Sequence, residues 1–166
     1  SAKMYDFVHK QYLKGVEWEK TRDSLYERYQ VQQLDGYNIT SRNMHCNGCF
    51  AAGINFGASL ISLFYGEADY KNTIKIGTLA GWDSDNPTAT WGGLIGFMLG
   101  KKGLEKTFNR KFSNKFNIHR TRQNFNNNGI DNFENMAEKG VIILDLVMKN
   151  QIKAKMKENT DAWVLP

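Results

Sequence analysis

Gly92, Gly96 and Gly100 recur every four residues in the run GWDSDNPTATWGGLIGFMLG from Gly81 to Gly100, a spacing that lays them along one face of a helix. A face without side chains lets another backbone come close, so this stretch predicts a tightly packed helix over Thr88–Gly100. Pro87 stands where the first helical turn begins, a position at which its missing N–H costs nothing. Just ahead of it, Asp83, Ser84, Asp85 and Asn86 place four short oxygen-bearing side chains in one tight turn. Such a set can supply several hard ligands to one divalent cation. The competing reading is an N-capping Asp on a core helix. It accounts for one acid and leaves the second carboxylate and the amide unexplained.

The segments before this turn read as helices that support it. From Met4 to Gln30, Tyr5, Val8, Tyr12, Val16, Trp18, Leu25 and Tyr29 recur mostly at three, four or seven among good helix formers, which predicts one or two amphipathic helices broken near Gly15. Cys46 to Gly66 carries no charged side chain. A membrane span is rejected there, because Asn47, Asn55, Ser59 and Ser62 interrupt the run and the mean hydropathy of the chain is −0.54. Gly48, Gly53 and Gly57 would each also lower intrinsic helix stability by about 1 kcal/mol relative to Ala. A helix buried all round and pressed against Thr88–Gly100 fits better, and it sets the acidic turn at one end of the contact. Between them, Glu67 to Leu79 predicts a turn and a helix, although Ile74, Ile76 and Thr78 alternate and leave a short strand open.

Spacing separates three uses of the D-x-D pair. An EF-hand loop needs Gly at its sixth position and Glu at its twelfth, where this chain has Thr88 and Leu94. A haloacid-dehalogenase-type phosphatase would want Thr or Val at Pro87 and a long α/β domain afterwards, for which the 166-residue chain leaves too little sequence. The third use fits. The run resembles the carboxy-terminal signature of the ADP-ribosylglycohydrolase family, which reads G-G-D-T-D-T-N-A-A-x-x-G-A-L-x-G-A-x-x-G. Laid on it without a gap, Gly81, Asp83, Asp85, Ala89, Gly92, Leu94, Gly96 and Gly100 coincide, and the order of parts from about Gly48 to Leu104 is similar. Asn86 stands where the family has Thr, and Trp82 where it has a second Gly.

The resemblance implies an all-α fold, an orthogonal helical bundle of the ADP-ribosylglycohydrolase type. Residues 1–166 would then be either a single helical domain or the carboxy-terminal part of a larger one. It implies a magnesium-dependent hydrolase that cleaves the N- or O-glycosidic bond of an ADP-ribosyl substrate. Asp83 and Asp85 would be the catalytic pair and, with Asn86, the ligands of one or two magnesium ions or of another divalent cation. Ser84, His119, Arg120 and Arg122 are the candidate substrate-binding side chains, the last three for their donors to a pyrophosphate. The family also carries an amino-terminal Thr-Asp-Asp motif. Here Asp6, Glu17, Glu19, Asp23, Glu27 and Asp35 are scattered, and Thr21-Arg22-Asp23 is a poor imitation. A missing amino-terminal segment or a second chain is therefore expected to supply the further acidic ligands, and the chain alone is expected to be inactive. The alternative is a non-catalytic module that binds a nucleotide, ADP-ribose or a nucleic acid.

The rest of the chain constrains partners and compartment. Between Lys101 and Arg122 eight Lys or Arg face Glu105 alone, an excess of seven in a chain of net charge +5. A patch of that kind attracts phosphates or is simply a solvated face. Neither a membrane nor a nucleic acid is the expected partner. No signal peptide is visible at the start, which favours a cytoplasmic location. Cys46 and Cys49 flank Asn47-Gly48 beside His45, but no second pair stands at zinc-finger spacing, so buried free thiols are expected. Asn38-Ile39-Thr40 is a glycosylation sequon. Phe108, Phe112 and Phe116, four apart, predict one ring-lined helical face, and a last helix is expected from Asp131 to about Lys157, with Trp163 and Leu165 tucked back.

Overall fold

A computed structural model describes residues 1–38, 51–118, 123–160 and 162–166. They form two compact units, Ser1–Arg110 and Lys111–Pro166. The first is mainly helical, and the second combines helix with short strand pairs. No described helix is long and apolar enough to cross a membrane.

The first unit holds α1 (Ala2–Leu13), α2 (Trp18–Tyr26), α3 (Ala52–Gly66), α4 (Tyr70–Ala80) and α5 (Asp85–Phe108). The break expected near Gly15 is present, with that residue at φ +68° between α1 and α2. α1 to α4 turn their periodic apolar residues to a shared core: Met4 and Val8 from α1, Leu25 from α2, Ile54 and Ile61 from α3, Ile76 from α4. Val8, Leu25, Ile54 and Ile61 have no exposed surface. Burying each such side chain contributes about 1.5–3 kcal/mol. A π-helical turn, Glu27–Val31, follows α2 and sinks Tyr29 into the same core.

α4 is a helix rather than the alternating strand left open by Ile74, Ile76 and Thr78. Asp69 caps it by accepting from the Asn72 N–H at 2.8 Å. Its buried residues, Thr73, Ile76, Gly77 and Ala80, follow the helical and not the two-residue period. α4 lies between its neighbours in the packing, close against both α3 and α5. The tightest approach falls at the α3–α4 corner, where a Cβ on Gly66 would stand 2.6 Å from the Thr73 Cα. Ser62 then donates to the Thr73 carbonyl at 2.7 Å, tying the two helices together.

This arrangement corrects the part assigned to the glycine face of α5. A Cβ on Gly92 would meet the Ile74 Cδ1 at 3.1 Å, and one on Gly96 would meet Tyr70 and Leu104 at 3.6 Å. The spacing therefore admits side chains of α4 and a later turn of α5, not the backbone of α3. Gly100 takes φ +64°, ψ 173°, and breaks the helix instead of extending the face. α5 resumes beyond it and stops at Phe108, because Asn109 turns left-handed at φ +48°. The ring-lined face expected of Phe108, Phe112 and Phe116 thus does not form: the first ends a helix, the second lies outside any element and the third sits in a strand.

In the second unit β1 (Lys115–Asn117) pairs antiparallel with β2 (Ile130–Asn132), with Phe116 opposite Asp131. Asn132 caps α6 (Phe133–Val147) by accepting from the Asn135 N–H at 2.8 Å. The last helix therefore starts two residues later than the periodicity predicted, since Asp131 is held in the strand pair. A π turn, Met148–Ile152, closes it before β3 (Lys155–Met156) pairs antiparallel with β4 (Trp163–Val164). Trp163 tucks back as expected and donates its indole N–H to Asp145 at 3.3 Å, while Leu165 stays 62% exposed.

Candidate functional site

The acidic turn is built by the way α4 ends. Gly81 leaves the helix at φ +95°, a conformation open to glycine, and Trp82 follows at φ +56°. A positive φ is uncommon for so bulky a residue and stores backbone strain of about 1–3 kcal/mol. Packing compensates it: the Trp82 ring joins the edge of the core and stacks on Tyr26, with centroids 6.2 Å apart and planes at 19°.

Asp83 then donates its backbone N–H to the side-chain oxygen of Asn55 in α3, at 3.0 Å. Its carbonyl accepts from the Asn86 N–H at 3.0 Å, which closes the turn. Thr88 locks the start of α5 by placing its hydroxyl 3.0 Å from the Ser84 carbonyl and 2.9 Å from that of Asp85. Pro87 is buried in the first helical turn, as its position in the sequence predicts. Ser84 is the N-cap residue, and its side chain makes no capping bond. Neither aspartate is therefore the N-cap of α5.

The structure brings Asp83 and Asp85 together. A hydrogen bond with the Asp85 carboxyl holds the Asp83 carboxyl above its usual range, with desolvation and the repulsion of the second charge adding to it. Magnesium is suited to such a pair, since it commonly takes one or two carboxylates and completes its octahedron with water or substrate oxygens. Among the described residues no group of three or more His, Cys, Asp or Glu is placed to hold a metal. The donor set fits a weakly held ion and does not by itself build a closed site.

A cleft of about 440 Å³ opens beside the turn. Ala52, Asn55, Phe56, Ser59 and Leu60 form its α3 wall, and Asp83, Asn86, Thr90 and Trp91 the other. Trp91 is fixed there by donating its indole N–H to the Ser59 carbonyl at 2.8 Å. This bond is the clearest direct link between α3 and α5, the pairing the sequence predicted. Asp83 and Asn86 face the cleft, whereas Ser84 and Asp85 contribute nothing to its wall. His119, Arg120 and Arg122 lie outside the described residues, as do His45, Cys46, Cys49 and the last two positions of the sequon.

Asn55, Phe56, Ser59, Thr90 and Trp91 were not singled out as site residues from sequence. Asn55 had a readable signal, an amide in the middle of an uncharged helical run, but there it counted only against a membrane span. Trp91 had none, because an aromatic one turn after Pro87 is equally at home in a core. No protein-family model, curated protein or solved structure matches the chain, so the site is argued from its own geometry.

Proposed function

We propose that the chain forms the metal-binding part of a magnesium-dependent hydrolase acting on the glycosidic bond of ADP-ribosylated substrates, on an all-α bundle of the ADP-ribosylglycohydrolase type. The observation that carries this reading is the pairing of Asp83 and Asp85 beside a cleft between two helices. The chemistry a magnesium ion supplies when bound is polarisation of water and sugar hydroxyls next to an oxocarbenium-like centre. Asp83, Asp85 and the Asn86 amide would hold it. Phe56 and Trp91 give the cleft flat apolar surface, and the Thr90 hydroxyl and Asn86 amide give it hydrogen-bonding edges, a mixture suited to a sugar joined to a ring.

Two carboxylates hold magnesium loosely, and loose binding does not position a reacting water. A misplacement of about 1 Å can cost on the order of a hundredfold in rate. Further acidic ligands from another segment or chain complete the site in this proposal. Release of ADP-ribose from modified arginine, modified serine or a small-molecule conjugate tests it, using the 166-residue chain with and without the preceding polypeptide. The expected result is turnover only with the added segment. Chelator-sensitive turnover by the chain alone would show that the ligand set is already complete, and no turnover in either case would sink the hydrolase.

One observation favours a second reading. The lack of a third acidic, His or Cys ligand among the described residues also suits a module that binds a nucleotide, ADP-ribose or nucleic acid without chemistry. Binding through the basic segment weakens steeply as salt rises. Binding through the aspartate pair responds to chelator.

A further inference from the structure

We propose that Asn55 is a positioning residue for the Asp83 carboxylate, acting from α3 through the backbone of the acidic turn. The inference rests on the metal-dependent reading above. Asn55 is only 6% exposed, in a helix whose neighbouring buried positions are Ile54, Gly57 and Ala58. A buried amide in such surroundings costs free energy unless both its ends are bonded. Both are: the side-chain NH₂ donates to the Ala51 carbonyl at 3.1 Å, and the oxygen accepts from the Asp83 N–H at 3.0 Å.

The two bonds act together. With its NH₂ turned back to a carbonyl one turn earlier in α3, the amide is oriented with its oxygen toward the Asp83 N–H. The Asp83 N–H precedes α5 and has no helical partner, so this oxygen fixes the backbone from which the carboxylate projects. The Asn86 N–H bonded to the Asp83 carbonyl holds the other side of the same residue. A ligating group has to be held within about 0.5 Å of its working position, and groups behind it do the holding. Asn suits the place: an apolar side chain would leave the N–H unpaired, and Asp would set a third charge beside Asp83 and Asp85. Ser62, the other buried polar side chain of α3, joins α3 to α4 and does not touch the turn.

The test compares Asn55→Ala with Ser62→Ala in the full chain, each removing a buried side-chain hydrogen bond from the same helix. Manganese affinity is measured by calorimetry, and exchange of the Asp83 amide by NMR. Asn55→Ala is expected to weaken Mn²⁺ binding roughly 10- to 100-fold and to speed exchange at Asp83, while Ser62→Ala does neither. Asn55→Gln keeps the amide and displaces its oxygen by one methylene, so it should lose affinity in the same direction. It carries the test if Asn55→Ala does not fold. Wild-type affinity in a folded Asn55 variant overturns the inference, and so does an equal loss in Ser62→Ala. Failure of the wild type to bind Mn²⁺ overturns the metal-dependent reading itself and this inference with it, an outcome distinct from the other two.

Discussion

Gly66→Ala tests the close corner between α3 and α4. A Cβ there would lie 2.6 Å from the Thr73 Cα and 2.8 Å from its Cβ, against the 3.5–4.0 Å at which carbon atoms rest. About 1 Å of overlap has to be relieved by parting the end of α3 from the start of α4, since the nearest carbon belongs to the backbone and has no rotamer to escape into. Overpacking of this size costs about 1–3 kcal/mol. Straining the Ser62 hydrogen bond to the Thr73 carbonyl adds about 1 kcal/mol. Replacing Gly by Ala within a helix returns about 1 kcal/mol, which leaves a net loss of roughly 1–3 kcal/mol. For a unit of this size each kcal/mol lowers Tm by about 4–8 °C. Gly93→Ala is the matched control, because a Cβ there meets nothing within 4 Å and should raise stability by about 0.5–1 kcal/mol. Thermal and urea unfolding followed by circular dichroism at 222 nm measures both. Gly66→Ala melting at or above the wild type, alongside a normal Gly93→Ala, would refute the close approach of α3 and α4.

Three further outcomes are expected. Asp83→Ala or Asp85→Ala should abolish magnesium-dependent ADP-ribose binding in calorimetry and leave the helical spectrum unchanged, because without a cation the two acids oppose one another; unaltered binding in both variants rules out the site. Asp35 should contribute to acid sensitivity, since the Tyr29 hydroxyl and then the Arg28 guanidinium hold its carboxyl below the usual range. A lowered folded-state value stabilises above the ordinary pKa of about 3.9 and fades as pH falls below it, so the stability gap between wild type and Asp35→Asn should narrow from pH 7 to pH 3 in urea titrations, and a constant gap would contradict this. The far-ultraviolet spectrum of the whole chain should be dominated by helix, with the two-stranded pairs contributing little; a strand-dominated spectrum would contradict the fold.

The helical character of the chain was legible wherever apolar residues repeat at three and four, as in α1 and α2, and so was the turn before Pro87, because proline and paired carboxylates constrain a backbone locally. Partners across helices were not legible. The spacing of Gly92 and Gly96 states that a face is bare, but not that Ile74 and Tyr70 of α4 fill it. Phe112 and Phe116 kept helical spacing past the point where Asn109 turns left-handed, an ending that depends on one backbone angle rather than on a pattern. Half of the candidate site was visible as chemistry in Asp83, Asp85 and Asn86. The other half, Asn55 and Trp91, becomes part of a site only when folding brings α3 beside α5.

Trp82 gives the turn an optical reporter of its own. Its indole is attached one residue before Asp83 and stacked on the Tyr26 phenol at 6.2 Å, close enough for light absorbed by the tyrosine to reach the tryptophan. Its position next to Asp83 means that a cation held by Asp83 and Asp85, as proposed above, would change the surroundings of this fluorophore. The chain has four tryptophans, and the difference in emission between the wild type and Trp82→Phe isolates this one. Occupancy of the aspartate pair can then be followed by light in the unlabelled protein.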